Sequence, residues 1–244
     1  MNKQAGTLFL IPSLIGDKPA ETCIPEYNQQ IINTLSDFIV EEEKSSYKIL
    51  RKIGFKNSFD SVNFYQVNEH TKDSDIINFL NPAENGINMG LLSEAGLPCI
   101  ADPGNIIVKA AHEKNIKVVP LVGPNSIISA LISSGLNGQN FAFNGYLPIK
   151  PHEKEQKIKQ LERISREFNQ TQIFIEAPYR NIQLFQSLLK ICNPNTLLTV
   201  ASNIHCFNEF ILTKPIFEWN LLPLPEIHKK PTVFLFESNG FKIK

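Results

Sequence analysis

The sequence predicts two α/β domains, residues 1–121 and 122–244, and three observations carry that expectation. Apolar segments alternate with amphipathic ones from end to end, the pattern of strands followed by helices. The 244 residues fall between one domain and two at ~150 residues each. Several apolar segments also end in Gly/Pro-containing turns that lead directly into a helix, and the boundary is drawn ahead of one of them, Gly123-Pro124.

The elements follow in order. Leu8–Ile11 is a strand, and Pro25 opens a helix through Leu35, since proline suits a first helical position. Phe38–Val40 is a short strand running into Glu41-Glu-Glu43. Lys44–Ile53 carries Tyr47, Leu50 and Ile53 at helical spacing and is stopped by Gly54. Val62–Val67 alternates as a strand does, and Asp73–Leu80 is a short helix with an Asx cap. Ile87–Leu92 is a buried strand, Ile106–Asn115 a helix, Lys117–Leu121 a strand and Asn125–Ser134 a helix ended by Gly135. The second half continues with strands at Phe141–Leu147, Gln172–Glu176, Leu197–Ala201, Glu209–Thr213 and Thr232–Glu237. Its helices are His152–Phe168, whose mixed charges mark a solvated face, and Ile182–Ile191.

Composition excludes several classes. A hydrophobic content of 42% excludes disorder, and 24 basic against 24 acidic residues exclude a protein held to nucleic acid by bulk charge alone. No stretch reaches the ~18 apolar residues of a membrane helix. Pro12 interrupts Leu8–Ile15 and no small-residue cleavage site follows, so a buried strand is expected there, not a signal peptide. Cys23, Cys99, Cys192 and Cys206 stand far apart, as do the five histidines. Reduced thiols, a cytoplasmic location and no metal are therefore expected.

Four stretches depart from a plain α/β pattern. Pro12-Ser-Leu-Ile-Gly-Asp17 puts a glycine at the end of the first strand, where backbone can approach a ligand. Leu91 to Gly104 is a loop made rigid by Gly96, Pro98, Pro103 and Gly104. Its acids are Glu94 and Asp102, and Asp102 or Asn105 is expected to cap the following helix. Val119-Pro-Leu-Val-Gly-Pro-Asn-Ser126 offers Asn125 and Ser126 to a polar group. Ile175-Glu-Ala-Pro-Tyr-Arg180 offers Glu176 and Arg180, which also read as a surface ion pair. Four such strand-end turns indicate a ligand cleft. No G-x-G-x-x-G occurs, so a dinucleotide fold is not indicated.

The run Ser93-Glu-Ala-Gly-Leu-Pro-Cys-Ile-Ala-Asp-Pro-Gly104 closely resembles the central motif of the class III, or tetrapyrrole (corrin/porphyrin), methylases. So do Val118-Val-Pro-Leu-Val-Gly-Pro-Asn-Ser126 and Phe143-Asn-Gly-Tyr-Leu-Pro148. Val40-Glu-Glu-Glu-Lys44, Asn68-Glu-His-Thr71 and Glu176-Ala-Pro-Tyr-Arg180 resemble segments of one branch, the bacterial 16S ribosomal RNA 2′-O-ribose cytidine methyltransferases.

The resemblance implies S-adenosyl-L-methionine in a cleft between the two α/β domains, a homodimer, and ribosomal RNA or the 30S subunit as partner. Carried over by position, the cofactor contacts are Ile15, Gly96, Ala101, Asp102, Pro103, Gly104, Ser126, Ile127, Ala177, Lys230, Pro231 and Thr232. Departures at Glu94, Leu97, Ala101 and Val40–Lys44 bear on the acceptor more than on the cofactor. A tetrapyrrole acceptor, or a non-catalytic relative that binds the cofactor, stays open. A ribose hydroxyl needs an acceptor for its proton, and Glu43, Glu94 and Glu176 qualify equally. Lys44, Lys48, Arg51 and Lys52 form a basic helix able to touch phosphate or simply to face solvent, and Trp219 is expected in the core.

Overall fold

A computed structural model describes residues 4–67, 71 and 73–238, and the chain divides into two compact units, Met1–Asn125 and Ser126–Lys244. Of the segment Asn68-Glu-His-Thr71, all but Thr71 lie outside the described residues, as does the expected capping side chain of Asp73.

The first unit contains β1 (Thr7–Ile11), α1 (Glu26–Ile32), β2 (Asp37–Val40), α2 (Glu43–Lys52), β3 (Asn63–Gln66), α3 (Asp73–Phe79), α4 (Asn81–Glu84), β4 (Met89–Leu92), α5 (Asn105–Glu113) and β5 (Lys117–Pro120). The strands form one parallel sheet in the order β3-β2-β4-β1-β5, with Leu10 opposite both Leu91 and Pro120. A parallel sheet is covered on both faces, and the period of two in β2 shows it. Ile39 packs with Leu8, Met89 and Leu91 on one face, while Phe38 and Val40 join Ile11 and Leu92 on the other. Gly90 is required between them, because a Cβ there would lie 2.5 Å from Ile11 Cδ1 and 2.9 Å from Phe38 Cδ1. Pro120, which has no N–H to donate, is tolerated on the edge strand.

Topology decides where such a sheet binds ligands. The chain leaves β1 toward β2 on one side and leaves β4 toward β5 on the other, although β1 and β4 are neighbours. Their carboxyl ends therefore flank a switch point, the usual ligand crevice of open α/β sheets.

The second unit contains α6 (Ser126–Ser134), β6 (Phe141–Tyr146), α7 (Pro151–Phe168), β7 (Thr171–Ile175), α8 (Asn181–Ile191), β8 (Leu197–Ser202), β9 (Phe210–Pro215), α9 (Ile216–Trp219) and β10 (Thr232–Glu237). Its sheet runs β6-β7-β10-β8-β9; only β6 and β7 pair in parallel, and the other pairs are antiparallel. Phe174 stacks near-parallel on Phe234 with centroids 6.1 Å apart, and Phe185 meets Trp219 edge-on at 5.3 Å. Trp219 is in the core, its indole N–H donating to Leu198 O at 2.8 Å, as a buried indole requires. The sequence pattern does not reveal α9, since four residues are too few to show a helical period.

Candidate functional site

In the first unit the turns after β1 and β4 meet at the switch point. Ser13 N–H donates to Gly96 O at 2.9 Å and Gly96 N–H returns to Ser13 O at 3.2 Å, an isolated antiparallel bridge between two loops. The Ser13 hydroxyl also donates to Ser93 O, so a buried serine within the Pro12–Asp17 stretch fastens the two turns. Gly96 has φ +76°, where a side chain is disfavoured, and Ile15 Cγ2 would lie 3.2 Å from a Cβ at that position. Ile15 and Gly96, expected from the sequence as cofactor contacts, are thus packed together.

The rest of the loop is held from within by one carboxylate. Asp102 Oδ1 accepts the backbone N–H of Cys99 and of Gly104, each at 2.8 Å. Those two bonds hold a segment in which Cys99 (φ 68°) and Ala101 (φ 60°) are left-handed although neither is glycine. Strained backbone of this kind persists where its surroundings over-determine it, and it collects at ligand sites. Asp102 does not cap the helix in the way expected. No side chain caps α5, and Asn105 is its first residue; Pro103 and Gly104 intervene, so the reach of Asp102 falls on the loop. Ala101 is exposed, Asp102 and Pro103 half-buried, and Gly104 buried, where a Cβ would lie 3.1 Å from Leu91 Cδ2. The Cys99 thiol is pushed up to about 11 by burial and then by the Asp102 charge, which favours its protonated form. Beside the loop lies an apolar cavity of about 260 Å³ lined by Leu97, Pro98, Ile100, Leu121 and Val122.

The three acids singled out in the sequence behave differently from one another. Glu43 lies on the exposed face of α2 and accepts the Tyr47 hydroxyl at 2.8 Å. Glu94 is exposed and accepts the Ser45 hydroxyl at 2.6 Å. Glu176 is buried in the second unit. A fourth acid, Glu41, stands half-buried at the end of β2, beside both loop acids. Its carboxyl is held above the usual range by burial first, then by the negative charges of Asp102 and Glu94, against a hydrogen bond with the Glu94 backbone. The resembling segment Val40–Lys44 contains it, yet three adjacent glutamates differ only in how the fold buries them.

In the second unit the candidates gather where β7 ends and β10 begins, since the two strands are antiparallel and Ile175 pairs with Val233. Lys229 N–H donates to Pro178 O at 3.0 Å, tying the Glu176–Asn181 turn to the segment Ile227–Thr232. The Asn181 amide, fully buried, donates to Lys230 O at 2.7 Å, to Ile227 O at 3.1 Å and to Thr232 Oγ1 at 3.1 Å. Ala177, Lys230, Pro231 and Thr232 are thereby brought together by a residue that sequence reasoning does not name. Ser126 and Ile127 open α6, Ser126 half-buried and Ile127 buried.

Glu176 and Arg180 are not the surface pair expected. The Glu176 side chain is wholly buried, and its Oε1 accepts Ala177 N–H at 2.8 Å, Arg180 Nε at 2.9 Å and Arg180 Nη2 at 2.7 Å. The spacing of four across a 3₁₀ turn (Pro178–Arg180) folds the guanidinium back over the strand end, which a flat count of residues does not reveal. Arg180 also lies over the Tyr179 ring, 5.1 Å from its centroid. Among the described residues no group of three His, Cys, Asp or Glu side chains is arranged to hold a metal, and no helix is long and apolar enough to cross a membrane.

No family model matches the chain. A protein from Streptococcus pyogenes serotype M6 described as ribosomal RNA small subunit methyltransferase I is 31% identical over 210 residues, 85% of this chain and 68% of that one. Proteins of the same description from Vibrio cholerae serotype O1 and a Synechocystis strain are 28% and 30% identical. They align over 88% and 84% of this chain and 70% and 69% of their own length. Among solved structures, the methyltransferase CobJ superposes with a TM-score of 0.63 at 15% identity, over 96% of this chain and 95% of that one. A uroporphyrin-III-C-methyltransferase from Thermus thermophilus gives 0.55 at 15% identity, over 96% and 92%. Those two likenesses are likenesses of fold.

Proposed function

The chain belongs to the ribosomal RNA small subunit methyltransferase I family, and on that premise we propose that it methylates a ribose 2′-hydroxyl of small-subunit ribosomal RNA with S-adenosyl-L-methionine. The carrying observation is the Ser13–Gly96 junction at the switch point of the first sheet, with a loop behind it in which Cys99 and Ala101 are held left-handed. The fit of the methyl donor is supported by that loop, whose Ala101 is exposed, and by the neighbouring apolar cavity. The residues that the family resemblance assigns to it are Ile15, Gly96, Ala101–Gly104, Ser126, Ile127, Ala177 and Lys230–Thr232. S-adenosylmethionine supplies a methyl group already activated on sulfur, so positioning is most of what the protein must contribute.

The acceptor hydroxyl must lose its proton as it is methylated, and we assign the acceptance of that proton to Glu41. Glu43 faces solvent along α2, and Glu176 has one oxygen saturated by three donors. Glu41 stands half-buried at the end of β2 beside Asp102 and Glu94, its proton affinity raised by burial first and then by those two charges, as suits a proton acceptor. RNA phosphate is met by Lys44, Lys48 and Lys52, exposed and four residues apart on one face of α2. Arg51 is taken up otherwise: it donates to Phe55 O at 2.7 Å and lies 4.3 Å above the Phe59 ring. Four free cysteines agree with a reducing, cytoplasmic setting, and a homodimer is proposed on the family resemblance.

Two measurements test the reading. Calorimetry is expected to show binding of S-adenosylhomocysteine at micromolar concentration. Mapping of 2′-O-methylation on small-subunit RNA incubated with the protein and S-adenosylmethionine is expected to show one added site. No binding, or an unchanged map on both naked RNA and 30S subunits, would overturn it.

A further inference from the structure

The second unit holds a cavity of about 480 Å³ between α7 and α8, within the ~300–1,000 Å³ range of small-molecule pockets. It shares no residue with those assigned to the methyl donor. Three lysines line it, Lys154 and Lys159 on α7 and Lys190 on α8, against one acid, Glu155. In the sequence the mixed charges of α7 mark a solvated face, yet Lys154 is only 7% exposed. Among the described residues its ammonium has no hydrogen-bond or ion-pair partner. An ammonium withdrawn from water is costly unless an anion meets it.

The acids nearby are already matched. Glu155 accepts Lys159 Nζ at 2.7 Å, and that hydrogen bond first, then the Lys159 charge, holds its carboxyl below the usual range. Glu153, the acid of the first turn of α7, is paired with Lys150 at 3.0 Å. Lys190 is exposed, acts on Glu155 only through space and makes no ion pair of its own among the described residues. The lining therefore carries two more positive charges than negative. Pro151, the first residue of α7, also lines the cavity, and no side chain caps that helix, so its positive end lies at the same place.

We infer that this cavity binds a small phosphomonoester of nucleotide size, its terminal phosphate meeting Lys154 and Lys190. A phosphomonoester carries a charge near −2 above its second pKa of ~6, equal to the surplus in the lining. An internal phosphate of RNA carries one charge and continues as chain on both sides, which suits an open groove and not a buried lysine. A carboxylate would leave one of the two lysines unmatched. The rest of the lining fits the organic part, with apolar surface from Ile149 and Ile191. Ser187 donates its hydroxyl proton to Gln183 O at 2.8 Å and retains lone pairs to accept from a sugar hydroxyl. The inference does not rest on the methyl-transfer reading, since none of these residues belongs to the site proposed for that reaction.

Calorimetry on the whole chain at pH ~8, where a phosphomonoester is dianionic, tests it with uridine 5′-monophosphate as probe. The nucleotide is expected to bind and uridine is not, and saturating S-adenosylhomocysteine should leave the nucleotide affinity unchanged. Lys154→Met retains an unbranched side chain and removes its charge, and affinity should fall at least about tenfold, the loss of one charged hydrogen bond. Lys190→Gln, an exposed change that spares the core, should weaken binding in the same direction. S-adenosylhomocysteine affinity should not move in either variant. No binding of the nucleotide would overturn the inference. So would uridine binding equally well, displacement of the nucleotide by S-adenosylhomocysteine, or wild-type nucleotide affinity in either variant when it melts as the wild type does.

Discussion

Ser13 and Gly96 exchange a pair of backbone hydrogen bonds that make the turns after β1 and β4 a single piece of structure. Gly96 sits at φ +76°, and a Cβ there would be 3.2 Å from Ile15 Cγ2 and 3.5 Å from Pro124 O. Gly96→Ala is accordingly expected to cost about 1–2 kcal/mol, the penalty of a left-handed non-glycine residue. Binding of S-adenosylhomocysteine should weaken with it, because the strain falls on the loop assigned to the ligand. Thermal melting and calorimetry check both; wild-type values in each would detach the junction from the site.

Asp102 is expected to act through the loop it holds. Asp102→Ala strands the N–H groups of Cys99 and Gly104, which now share one oxygen, and should cost about 1–3 kcal/mol in total. Asp102→Asn retains an acceptor oxygen and should recover most of the stability and of the S-adenosylhomocysteine affinity. A variant pair with equal affinity and equal melting temperature would show that the carboxylate does not shape the loop.

Glu41 yields a pH-dependent prediction whose sign follows from its raised proton affinity. A carboxyl raised above the ~4.3 of an unfolded glutamate contributes stability that is fully present below that pH. The contribution is lost as pH rises through the folded-state value. Glu41→Gln, neutral throughout, should therefore melt higher than wild type at neutral pH, by less than about 1 kcal/mol for a group half in solvent. The difference should vanish toward pH ~4. Methyl transfer should fall by roughly 10²–10⁴-fold in the same variant while S-adenosylhomocysteine binding persists. A variant as active as wild type would send the proton elsewhere.

Removing Arg180 should damage the fold before it damages chemistry. Arg180→Ala leaves the buried Glu176 carboxylate with one of its three donors and is expected to lower the melting temperature by several degrees. Arg180→Lys restores charge without the two-pronged geometry and should fall between. Equal melting of all three proteins would show that the Arg180 contacts do not hold the turn.

The α2 stripe predicts a change in salt dependence. Replacing Lys44, Lys48 and Lys52 together by glutamine removes three cations able to neutralise phosphate. The slope of log affinity for RNA against log salt should flatten by about 0.7–0.9 for each phosphate that is no longer neutralised. S-adenosylhomocysteine affinity should not move. An unaltered slope would leave the stripe as a solvated helix face.

Much of this protein is legible in the order of its residues. Alternation of apolar and amphipathic segments marks the strands and helices to within a few residues, because burial on a sheet imposes a period of two and on a helix a period near four. The motif from Ser93 to Gly104 resembles that of the methylases, and its glycines and prolines mark a constrained backbone path. Residues that act across long sequence separations are another matter. Ser13 reaches Ser93 and Gly96, and Asn181 reaches Ile227, Lys230 and Thr232; each looks like an ordinary polar residue in its own segment. The three glutamates at 41–43 are chemically identical on paper. Only the tertiary structure buries Glu41 beside Asp102 and turns Glu43 to solvent, and only it encloses the Glu176–Arg180 pair expected on the surface. Sequence carries the backbone path because local sterics set it; environment, and with it proton affinity and unpaired charge, arises where remote segments meet.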